Sequence, residues 1–161
     1  MSTTHHPSQS ASWQLVVESP QATLIKIADV SQKLYQALSD ANRDVWGAND
    51  PDISGALFLL DKVMATSGEI LETLNQCTIN DSAPDEQLEG WISANGPVIC
   101  LVALNDVKRT IGIDRPWRPL AFFGFKRSFS PAPANDKIHE AIKVLHTYRE
   151  YFDFLLASGV R

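Results

Sequence analysis

The chain has 161 residues, 44% of them hydrophobic and 20% charged, with a formal net charge of −5 and a pI near 5.3. That length supports one domain with a real core, and the composition excludes wholesale disorder. The acidic balance argues against free-standing binding to DNA or RNA, which needs a basic footprint. Cys77 and Cys100 are the only cysteines, too few for a zinc cluster or a disulfide framework and suited to a reducing compartment.

Residues 1–18 open with Ser, Thr, His and Pro and read as a disordered tail, with residues 19–161 forming a single helical domain. The tail lacks the basic and apolar regions of a secretory signal, so secretion is not expected and nucleus or cytoplasm is the expected location. His5 and His6 in that tail read as incidental rather than as metal ligands. Trp13, Leu15, Val16 and Val17 read as a short packing segment ahead of the first helix.

Ser19-Pro20 is a helix start: the serine hydroxyl can accept from a free backbone N–H, and proline at the first helical position forfeits nothing. Leu24, Ile27, Leu34, Leu38, Ala41 and Val45 then recur at helical spacing up to Trp46, and Gly47 closes the helix. Asp50-Pro51 repeats the start signal. Ile53, Leu57, Leu60, Met64, Leu71 and Leu74 line one side of the second helix, with Phe58 and Val63 widening the stripe. Gly68 inside it predicts a bend or a close helix contact, and residues 75–85 are expected to form a polar loop.

Asp85 and Glu86 open a third helix, with Leu88, Trp91 and Ile92 facing inward. Gly96-Pro97 must interrupt it, since proline removes a hydrogen bond and crowds the preceding turn. A fresh helix follows with Val98, Leu101, Val102, Leu104, Val107 and Ile111, stopped by Gly112, and Cys100 within it reads as a buried core thiol. Residues 136–158 form a last helix with Ala141, Leu145, Tyr148, Phe152 and Leu155 inward, flanked by Ile138, Ile142 and Leu156 and stopped by Gly159. The expected fold is all-α, an antiparallel bundle of four or five helices.

Between the last two helices, Pro116, Pro119, Pro131 and Pro133 exclude a continuous helix and predict a long loop folding back over the bundle. Arg115, Trp117, Arg118, Phe123, Phe125, Lys126 and Arg127 make it aromatic and basic, with no acid between Asp114 and Asp136. Read functionally, this is an interaction surface for an acidic partner, a phosphate or a membrane. Read structurally, the aromatics are satellite core and the cations balance an acidic bundle.

No phosphate-binding loop, dinucleotide fingerprint, nucleophile elbow, HExxH or CxxC is present. His139 and His146 are seven residues apart, not the four of a helical ligand pair, and read as boundary or solvent-facing residues. No catalytic residue, cofactor or metal is expected. A bundle cavity serving a small molecule remains a third functional class beside the two described next.

Residues 60–77, LDKVMATSGEILETLNQC, resemble a stretch in the regulatory domain of the fungal aflatoxin-regulator family of zinc-cluster transcription factors. Leu60, Asp61, Val63, Ala65, Thr66, Glu69 and Cys77 match that pattern. Phe123-Gly124-Phe125 and Val144-Leu145-His146 follow in the family's order, and the resemblance covers residues 55–158. The family's Cys-Pro-Cys is here Cys77-Thr78-Ile79, the connecting segment is shorter, the aromatic pair after the family's second helix is missing around Thr110-Ile111, and no six-cysteine DNA-binding module is present. The resemblance implies a non-enzymatic accessory protein of secondary-metabolite gene control that contacts protein partners and does not bind DNA directly. Residues 117–126 followed by 138–156 also resemble the helical N-terminal domains of fungal STAND proteins and a related azaphilone-cluster domain. That resemblance implies self-association for signalling, and some such domains act at membranes. Neither fixes the number of copies in an assembly.

Overall fold

A computed structural model describes residues 18–46, 50–112 and 135–158. The fold is all-α: α1 (Pro20–Trp46), α2 (Pro51–Ile79), α3 (Glu86–Ser93), α4 (Gly96–Ile111), α5 (Asn135–Thr147), a 3-10 turn (Arg149–Phe152) and α6 (Asp153–Ser158). The two longest helices, α1 and α2, form an antiparallel pair and make the most extensive contact in the bundle. α4 packs on α1 and α5, while α6 returns against α2.

Local chemistry sets the helix starts. Ser19 Oγ accepts from Ala22 N–H at 3.1 Å, Asp50 Oδ1 from Asp52 N–H at 2.9 Å, and Asp85 Oδ1 from Leu88 N–H at 2.8 Å. Each satisfies one of the backbone donors that the first helical turn leaves unpaired. The break before Pro97 falls where the sequence requires it: α3 ends at Ser93, and Asn95 takes a left-handed φ of 63° before α4 begins. Gly112 stops α4 at φ 87°, a conformation that costs glycine nothing, and returns its N–H to Lys108 O at 3.0 Å.

The core is built from Leu24, Ile27, Leu34 and Leu38 of α1, Leu59, Leu60 and Val63 of α2, Leu104 and Val107 of α4, and Ile138, Leu145, Phe152 and Leu155 of the C-terminal segment. Ser31 and Ser67, near the midpoints of α1 and α2, are also fully buried, and neither hydroxyl has a hydrogen-bond partner.

Several expectations are corrected by the packing. α2 runs four residues past Asn75, to Ile79. Gly68 marks no close helix contact, for a methyl group there would meet nothing within 4 Å, and α2 continues through it. Gly68→Ala is therefore expected to stabilise the protein by about 0.5–1 kcal/mol, by limiting the unfolded chain and favouring helix; a higher urea midpoint with an unchanged slope would register it. The last helix is not continuous, because it tightens at Tyr148, where Tyr151 N–H turns back to Tyr148 O at 2.8 Å. Phe58, Val98 and Val102 lie outward rather than inward, and Trp91 and Ile92 are only half-buried.

Candidate functional site

The basic and aromatic surface expected from the sequence, Arg115, Trp117, Arg118, Phe123, Phe125, Lys126 and Arg127, lies outside the described residues, as do Trp13 and the rest of residues 1–17. Three features of the described helices remain as candidates.

The first is the outer face of α4. At about 100° per residue, Cys100, Ala103, Leu104, Val107 and Ile111 fall on one arc, and all are buried. α4 carries more apolar residues than that arc can hold. Val98 and Val102, one turn apart, are 47% and 60% exposed, and Ile99 beside them is 40% exposed. Further along the same side the helix becomes polar at Asn105, Asp106 and Arg109. Ile25, Phe58 and Ile79 of α1 and α2 are exposed as well.

The second feature ties α4 to the C-terminal segment. Asp106 Oδ2 accepts from Tyr148 Oη–H at 2.7 Å, and its Oδ1 receives Arg109 at 3.1 Å. The hydrogen bond to Asp106 holds the Tyr148 phenol above its usual range; burial and the charges of Asp106 and Tyr151 add to this, and Arg109 opposes it. Tyr148 stacks on Tyr151 with centroids 5.5 Å apart. The Tyr151 carbonyl accepts from Cys100 Sγ at 3.1 Å, and burial pushes the Cys100 thiol up to about 12. A phenol and a thiol both held in their protonated forms are poor nucleophiles. Their role is to lock the 3-10 turn onto α4, in keeping with the core reading of Cys100.

The third feature joins the start of α2 to the first turn of α5. His139 Nε2 stands 3.4 Å from Asp50 Oδ2, and one donor atom each from Asp50, Asp52 and His139 lie within 4.8 Å of one another. The capping bond from Asp52 N–H occupies Asp50 Oδ1, so the second oxygen faces the imidazole. Asp50 N–H in turn reaches Asn42 Oδ1 of α1 at 3.4 Å. Sequence spacing does not expose this group, because a search for ligand pairs on one helix compares His139 with His146 and never with an aspartate 89 positions earlier. The only local signal is the pair of aspartates flanking Pro51, which also has an ordinary explanation as a helix start.

Among the described residues no helix is long and apolar enough to cross a membrane. No family model, curated protein or solved structure matches this chain.

Proposed function

We propose that this protein is a non-enzymatic accessory or regulatory factor that acts through protein contacts, in the manner of the effector part of a fungal secondary-metabolite cluster regulator. The observation that carries this reading is the outer face of α4, where Val98, Ile99 and Val102 stay exposed although the same helix supplies the core. Anchors at helical spacing suit an amphipathic helix from a partner protein laid along α4. The polar half of the face, with Asp106 and Arg109, would set the direction of that helix. The net charge of −5 favours a protein partner over nucleic acid.

Deleting the gene should change transcripts of a secondary-metabolite cluster, and a Val98→Asp/Val102→Asp allele should reproduce the change with the protein still folded and nuclear. Both positions are exposed, so each substitution should shift the fold by no more than about 0.5 kcal/mol. Unchanged transcripts on deletion, or a double variant that behaves as wild type, would refute the reading. Concentration-dependent oligomers abolished by the same double variant would instead favour a STAND-type self-associating domain. Liposome binding lost on neutralising Arg118, Lys126 and Arg127 would add membrane contact to that alternative.

A further inference from the structure

We infer that Asp50, Asp52 and His139 form a binding site for a divalent transition ion of the zinc type, closed by water, that clasps the start of α2 to the first turn of α5. Three features of the geometry support it. First, the donor set is mixed: one imidazole with two carboxylates suits zinc and its neighbours, whereas magnesium and calcium prefer oxygen alone. Second, the spacing matches. Zinc holds nitrogen and oxygen donors at about 2.0–2.2 Å, so donors on one edge of a tetrahedron stand roughly 3.3–3.5 Å apart. His139 Nε2 and Asp50 Oδ2, an ion pair when the imidazole is protonated, are 3.4 Å apart and so match that edge. A side-chain rotation of exposed Asp52 brings in the third donor from within the 4.8 Å cluster.

Third, the pivotal ligand is already oriented. Asp50 spends one oxygen on the Asp52 N–H and is held at its backbone by Asn42, which leaves the other oxygen directed at His139. Outer hydrogen bonds of this kind fix ligands in metal sites. A helix N-terminus alone repels a cation, but two carboxylates at the start of α2 reverse the local field. An ion here would join residues far apart in the chain. Binding only the folded state, it would raise the unfolding temperature by an amount that grows with the logarithm of the free ion concentration above Kd.

The test uses the full chain, stripped of metal, with His5→Gln/His6→Gln introduced so that the imidazoles of the N-terminal tail cannot contribute. Zinc chloride is titrated by calorimetry and by thermal unfolding, with magnesium chloride as the control. Saturable 1:1 zinc binding and a rise in Tm that magnesium does not reproduce are expected. His139→Gln, and separately Asp50→Asn, should weaken binding by at least about tenfold, the lower end of the loss seen when even an outer partner of a ligand is removed. Asparagine caps a helix about as well as aspartate, so Asp50→Asn keeps the start of α2 intact. Absence of saturable zinc binding would overturn the proposal, and so would equal binding by the parent, Asp50→Asn and His139→Gln proteins.

Discussion

Phe152→Ala is expected to destabilise the protein by about 3–5 kcal/mol, the range for an aromatic ring removed from a core. Phe152 heads the largest fully buried side chains and is 0% exposed. It ends the 3-10 turn, a four-residue element that has few hydrogen bonds of its own and is held by what its side chains reach. The turn contacts α4, α5 and α6, and Cys100 and Tyr148 pin its neighbours, so the cavity has little room to collapse. Against a net stability of about 5–15 kcal/mol for a typical domain, this is a large share. Urea unfolding should show it as a lower midpoint, with the 44%-exposed Tyr151→Ala as comparison. A Phe152→Ala midpoint no lower than that of Tyr151→Ala would mean that the turn does not anchor the core.

Gly96→Ala should cost about 1–3 kcal/mol, although alanine is the better helix former. A Cβ at this position would stand 2.2–2.5 Å from the Trp91 indole atoms Nε1, Cδ1 and Cε2. The indole cannot yield cheaply, because it stacks on Phe154 with centroids 4.6 Å apart and planes 12° from parallel. Admitting the methyl means either breaking that stack, which ties α3 to α6, or moving the start of α4. A double-mutant cycle isolates the cause: in a Trp91→Ala background, Gly96→Ala should be nearly neutral, giving a coupling energy comparable to the single-variant cost. Equal effects in both backgrounds would place the penalty in the backbone instead of the ring. The contrast with Gly68, where alanine should help, shows that two glycines in helical sequence can have opposite roles.

The outer face of α4 and the Asp50–Asp52–His139 group differ in how far the sequence shows them. That α4 is rich in apolar residues is plain from its letters, and so is the reading of Cys100 as core. Which arc of α4 faces inward is not, because Val98, Leu101 and Val102 keep helical spacing as well as Cys100, Leu104 and Val107 do. Only the positions of α1 and α5 choose between those stripes. The aspartates around Pro51 are visible as a helix start, while their approach to His139 depends on where α5 docks.

By itself, the sequence determined the all-α class and the helix boundaries set by Ser19-Pro20, Asp50-Pro51, Asp85, Gly96-Pro97 and Gly112. It also determined most of the core list, from Leu24 to Leu155. These are decided within one or two turns, by hydrogen bonds between neighbours, by the missing N–H of proline and by the 3.6-residue period. Tertiary structure alone decided the 3-10 tightening at Tyr148, the crowding of Gly96 by Trp91, the outward turn of Val98 and Val102, the burial of the Ser31 and Ser67 hydroxyls, and the meeting of Asp50 with His139. Each of these rests on atoms from separate helices or on which face a neighbour covers. Local propensity carries no information about such encounters until the helices have packed.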